Sequence, residues 1–345
     1  MDFRELNIRT LSDIDKLPWF EKNAVGDLIV KASADIPPVI DTHTHVGWSY
    51  GFAPAIDMTK VTKQVDYFYN FETDQDLLYD DTIHPTAEEG AQMSRGILLA
   101  LFKRSPASMT HTAANFMAEM DRSNYRHTCL LPIEASPVGS RHAERTLGAA
   151  AMDTRFIPLA AVHPWPWGPR KMARLEAQFT AGARAVKYHP EFQFMAPDNK
   201  HAMALFEWCQ ARDVPVLAHC GYKGPEPAWM REKSEPDRFR PMLQAFPKLR
   251  VIMAHTGIIL HKEVLTLARE FSDQIWLDIA GQDVPTILEI LHGYDHRKIL
   301  YGSDWPFYPL AVALARALVA TEGREPLRAD LLHDNAARFL GLETL

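Results

Sequence analysis

In the stretch VIDTHTHVG, residues 39–47, an apolar run is interrupted by Asp41, His43 and His45. Side chains along a strand alternate faces with a period of two, so His43 and His45 share one face and Thr44 takes the other. Two imidazoles on one side of a strand end can grip a divalent cation, as in zinc sites built from histidine nitrogen and carboxylate oxygen. A pair is half a site. Other apolar runs end in candidate partners: His219 in VLAHCG, His255 in IMAHTG and Asp304 in GSDWP. The remaining runs close on Glu134, His163 in VHPWPW, Lys187 and His189 in VKYHP, and Asp278 in WLDIAG. Cys220 follows His219 and by the same alternation turns away from it, a small packed hydrophobe rather than a nucleophile. Trp48, Trp165, Trp167, Trp305 and Phe307 neighbour these positions, as lining for a cyclic or aromatic acid or, for most of them, as packing under loops.

The elements that must position these groups are legible as eight short apolar runs: PPVIDTH, TCLLPIE, FIPLAAVH, AVKYH, VPVLAH, RVIMAH, IWLDI and KILYGSD. Segments of helical period lie between them, among them HTAANFMAEMDRS, MARLEAQFTAG and HKEVLTLAREF. Strands alternating with helices indicate parallel βαβ units, and unbroken apolar runs suit strands covered on both faces. The count and the length fit an α/β fold, a (β/α)8 TIM barrel, with a doubly wound open sheet as the competing arrangement. In a barrel every polar strand end converges on the C-terminal mouth, where barrel enzymes keep their chemistry.

The whole chain, 1–345, reads as one barrel domain with two additions. Residues 1–36 form a helical N-terminal extension. Residues 48–110 are an insertion after the first strand, far longer than a usual βα loop, placed to serve as lid or substrate wall or as a contact within a homo-oligomer.

With 345 residues, 47% hydrophobic and 23% charged, the composition is that of a soluble globular protein. A net charge of -7 and the lack of a basic run argue against nucleic acid and anionic membrane as partners. The N-terminal residues carry no apolar signal core, and no apolar stretch approaches a membrane span. Three cysteines without a CxxC pair suit a reducing cytoplasm.

Taken together, DTHTH, VKYHP, LAHCG, MAHTG and YGSDWP in this order resemble the amidohydrolase superfamily. Within it they resemble the amidohydrolase-related metal-dependent hydrolases, the group that includes aminocarboxymuconate-semialdehyde decarboxylase. The ending LLHDNAARFLGL is also similar, and the likeness spans about residues 37–345, with the insertion as its main departure. The resemblance implies one divalent metal, zinc foremost with manganese or iron as alternatives, held by His43, His45, His219 and Asp304. Asp304 would also take a proton from the metal's water, and His255 would act as general acid/base or ligate a second metal. In binuclear members a lysine at the position of Lys187 is carboxylated and bridges two ions. A single metal is favoured here, with Lys187 and His189 facing the pocket and Lys187 binding a substrate carboxylate or carbonyl, unless Lys187 merely pairs with an acid such as Glu134. His163 and Asp278 are candidates to orient ligands from behind, against turn chemistry before proline for His163 and a cap on the next helix for Asp278. The implied activity is hydrolysis of an ester, lactone or amide carbonyl of a small, cyclic or aromatic carboxylic acid by metal-bound hydroxide. Non-oxidative decarboxylation on the same scaffold is the alternative, and a non-catalytic barrel the least favoured.

Overall fold

The computed structural model describes residues 2–47, 55–71, 75–79, 88, 90, 91, 95, 107–138, 140–222 and 227–342. Among them, eight parallel strands carry the fold: β1 Val39–Thr44, β2 Tyr125–Leu130, β3 Phe156–Pro158, β4 Val186–Tyr188, β5 Val216–His219, β6 Val251–Ala254, β7 Ile275–Asp278 and β8 Ile299–Leu300. Each is followed by a helix: α1 Ala113–Arg122, α2 His142–Ala150, α3 Pro169–Thr180, α4 Lys200–Ala211, α5 Arg240–Ala245, α6 His261–Glu270, α7 Val284–Gly293 and α8 Leu310–Ala320. Side-chain caps at Thr112, Asn199 and Asp283 start α1, α4 and α7 by accepting otherwise unpaired backbone N–H groups.

The strands form two arcs, β1-β2-β3 and β4-β5-β6-β7-β8, each paired in parallel register. Both seams between the arcs are bridged by backbone. Ala160 pairs with Val186, and the Lys187 N–H donates to the Ala160 carbonyl at 2.8 Å. At the other seam Thr44 pairs with Trp305, the Asp304 N–H donates to the His43 carbonyl at 2.8 Å, and the His45 N–H to the Trp305 carbonyl at 2.7 Å. The ring is therefore a (β/α)8 TIM barrel and not an open sheet.

Alternation along the strands sorts the core into two layers. Ile40, Cys129, Ile157, Leu217, Ile252 and Leu300 fill the barrel interior, stoppered below by Phe339 and Leu340 of the terminal helix Asn335–Leu340. Val39, Phe156, Val186, Val216, Val251 and Ile275 face outward into the layer under the helices. Burial on both faces is why these runs read as continuously apolar.

The lead-in holds the expected helical turns, two short 3₁₀ segments at Phe3–Leu6 and Leu11–Lys16, and adds a hairpin pairing Phe20–Lys22 with Leu28–Val30. The described parts of the insertion are laced to the barrel. The Ala114 N–H donates to the Met58 carbonyl, the Phe68 N–H to the Pro306 carbonyl, and the Val284 N–H to the Leu78 carbonyl. Buried Arg316 of α8 donates to the Leu77 carbonyl at 2.8 Å. Among the described residues, no helix is long and apolar enough to cross a membrane.

Candidate metal centre

At the mouth, the ends of β1 and β8 bring three groups together. Asp304 Oδ1 lies 3.7 Å from His43 Nε2 and 3.7 Å from His45 Nε2. The other nitrogen of each ring is committed elsewhere: His43 Nδ1–H donates to Asp278 Oδ2 at 3.0 Å, and His45 Nδ1–H to the Leu131 carbonyl at 2.9 Å. An acceptor on Nδ1 fixes the tautomer that keeps the lone pair on Nε2, where a cation would be met. Thr44, between them, turns to β2 and donates to the Cys129 carbonyl. The trio is buried, with exposures of 0%, 3% and 4% for His43, His45 and Asp304. Burial above all, and then the Lys187 ammonium, holds both imidazoles well below the usual histidine range. They are neutral, the form that ligates metal.

Asp278, at the end of β7, has no exposed surface and works in two directions. Its Oδ2 accepts from His43, and its Oδ1 accepts the backbone N–H of His255 at 2.7 Å. His255 sits with φ +59°, its Nδ1–H donated to the Ala280 carbonyl at 3.2 Å and its ring 4.4 Å from that of His43. Lys187, 1% exposed, places Nζ 3.3 Å from His43 Nε2. Burial lowers its ammonium to about 7 despite the opposing pull of Asp278 and Asp304. Glu134 does not pair with Lys187. It turns to Arg174 Nη1 at 3.1 Å and accepts from the Ala143 N–H in the first turn of α2 at 2.8 Å, because its strand end faces that helix.

His219 belongs to a second trio, with His189 and Glu191. Its ring stacks on His189 at 4.0 Å and 9°, and it lies 5.1 Å from the ring of His255. Its tautomer is the reverse of the others: Nε2–H donates to the Gly221 carbonyl at 3.1 Å, with Glu191 Oε2 at 3.6 Å. Glu191 Oε1 accepts from the Ser234 hydroxyl at 2.8 Å. The repeated AHxG motif has a packing reason. A Cβ on Gly221 would meet the Gly257 carbonyl oxygen at 1.8 Å, so the chain after β5 and after β6 can touch only as glycine.

His163 makes turn chemistry, taking the Trp165 N–H on Nδ1 and donating Nε2–H to the Gln193 carbonyl. Cys220 is fully buried, and burial raises its thiol. Trp305 packs on Phe116 and donates its indole N–H to Glu119 Oε1 at 2.9 Å. Trp165 is half exposed and Trp48 lies outside the described residues. Two residues went unread in the sequence. Glu191 stands two positions after His189, a strand-end spacing that repeats the one in DTHTH. Gln193 pins three loops at once, accepting the His189 N–H and donating to the carbonyls of Glu134 and Val162.

Two neutral imidazoles and a carboxylate converging in a buried cluster, each imidazole backed by an acceptor, suit a borderline divalent cation. The amidohydrolase family profile matches residues 40–342. No curated protein sequence is significantly similar to this one. Several solved structures share the fold. An uncharacterised TIM-barrel protein from Bordetella bronchiseptica aligns with TM-score 0.62 at 18% identity, over 88% of this chain and 98% of its own. 5-Carboxyvanillate decarboxylase from Sphingomonas paucimobilis aligns with TM-score 0.59 at 14% identity, over 88% and 98%. A probable 2-pyrone-4,6-dicarboxylic acid hydrolase from Acinetobacter baumannii, solved with citric acid bound, aligns with TM-score 0.54 at 16% identity, over 88% and 100%. With a matching profile over most of its length and a metal-ready barrel mouth, the chain belongs to the amidohydrolase family of metal-dependent enzymes.

Proposed function

We propose that this enzyme is a hydrolase of an ester, lactone or amide bond in a small cyclic or aromatic carboxylic acid, with one zinc ion as cofactor. The observation that carries the reading is the approach of both Nε2 atoms of the HTH pair to one carboxylate oxygen, Asp304 Oδ1. His43, His45 and Asp304 would hold the ion, and His219 would complete a fourth donor from its Nδ1 side. When bound, the ion supplies Lewis-acid polarisation of the carbonyl and activation of water. Asp304 takes the proton of the attacking water, and His255, neutral in its buried seat, relays a proton toward the leaving group. Lys187 meets the substrate's carboxylate or carbonyl from beside His43, uncarboxylated. His189 faces the same pocket from the second trio, and Asp278 orients His43 from behind.

The test is a turnover assay of zinc-loaded protein on lactones, esters and amides of aromatic and muconate-like carboxylates, following acid release and CO₂ together. Acid release with no CO₂ is expected. Stoichiometric CO₂ without net hydrolysis would replace the hydrolase by a decarboxylase on the same residues, and two metal equivalents with a lysine mass increase at Lys187 would replace the single ion.

A further inference from the structure

An apolar plate stands beside the polar trios and has no part in the chemistry above. Phe68 from the insertion, Phe192 after β4 and Phe307 after β8 pack together against Ile133 and Ala135, which follow β2. The plate abuts both trios. The Phe192 ring meets the edge of His189 at 4.5 Å, and the Phe307 N–H donates to the Asp304 carbonyl at 2.8 Å. Phe68 and Phe307 lie 4.7 Å apart, and all three phenylalanines are only partly buried, so the plate is not closed over. The Lys187 amine, beside His43, belongs to the polar side.

Phe68 is held rather than hinged. The three consecutive residues of its segment are each tied to the barrel. The Asp66 carbonyl accepts from His111 Nε2 at 2.7 Å, the Tyr67 hydroxyl donates to Glu119 Oε1 at 2.7 Å, and the Phe68 N–H donates to the Pro306 carbonyl at 3.3 Å. Glu119 also accepts the Trp305 indole N–H, so the seat of Phe68 and the residue following Asp304 rest on one carboxylate. A site with an apolar plate beside its polar groups matches a ligand with a planar apolar body and one polar end, such as a carboxylate.

We propose that Phe68 is a specificity-determining residue, a fixed wall contributed by the insertion that selects planar apolar carboxylates over aliphatic ones of equal charge. This rests on the carboxylic-acid reading of the substrate given above. The probe is calorimetric titration of zinc-loaded protein with benzoate and with acetate, for the unaltered chain, Phe68→Ala and Phe68→Leu. Zinc content and Tm of each variant report on folding. Loss of one aromatic contact predicts about a 5–10-fold weaker benzoate affinity in Phe68→Ala, a smaller loss in Phe68→Leu, and unchanged acetate affinity and zinc content. Equal losses for benzoate and acetate, or no loss in either variant, would overturn the role of Phe68 while leaving the carboxylic-acid reading intact. Binding of neither anion by the unaltered chain would overturn that reading and this inference with it.

Discussion

The two ends of the barrel differ in what they bury and in what they strain. At the C-terminal mouth, His43, Lys187, Asp278 and Asp304 lie almost wholly out of water. The left-handed backbone there includes two β-branched residues poorly suited to it, Thr256 at φ +45° and Ile258 at +55°, beside His255 and Asp304 at +59°. For β-branched and bulky residues this costs on the order of 1–3 kcal/mol each. The N-terminal floor holds an open cavity of about 400 Å³, lined by Arg126, His127, His333, Asp334 and Arg338. Its positive-φ residues, Asn124 and Asp213, are types that visit that region cheaply. An open cavity alone would pick the floor; buried charge and strained backbone pick the mouth. A chain keeps costly conformations where a geometry must be held, and here that place is the ring of strand ends.

Substitutions at the two ends give the sharpest contrast. His43→Ala should abolish both zinc retention and turnover, read by elemental analysis and by the assay above; a variant that kept its ion would dissolve the distinction. Asp278→Asn should weaken zinc binding about 10–100-fold in competition with a chelator, since it disturbs the acceptor that orients His43. Acid should act on the mouth side as well. Burial holds His111 and His142 at about 4 against an ordinary 6.5. Because the unfolded chain protonates first, their contribution to stability is complete above about pH 6.5 and is lost as the pH falls toward 4. The loss is on the order of 3 kcal/mol per histidine, and His111→Gln should flatten that slope in denaturant titrations. The smallest effect belongs to the floor: Arg338→Ala should change neither zinc content nor turnover and shift stability by no more than about 0.5 kcal/mol.

What the sequence disclosed followed from periodicity. Runs such as VPVLAH and RVIMAH are buried on both sides, so their apolar character is unbroken and their ends are marked by the first ionisable residue. That was sufficient to place His43, His45, Lys187, His255, Asp278 and Asp304 around one mouth. It was not sufficient to orient them. The side chain of Glu134 is decided by Arg174, forty positions on and on another element, and the tautomer of His219 by the Gly221 carbonyl and Glu191. Gln193 lies in a loop, where no period announces which way a side chain points. The hairpin of the lead-in, Phe20–Lys22 with Leu28–Val30, has three residues a side and mixed burial, too little pattern to separate it from turn.

The seam between β1 and β8 has a mechanical meaning beyond its chemistry. Asp41 Oδ1 takes the Ser303 N–H across 262 positions of sequence, and the His43–His45–Asp304 trio straddles the same line. Bringing such distant points together costs about 4 kcal/mol more than closing a hairpin-sized loop. An ion seated in that trio would act as a clasp on a belt, fastening the first strand to the last. Its removal would loosen the ring where the two ends of the chain meet before disturbing β4 to β7, and cofactor loss and unfolding would begin at the same place.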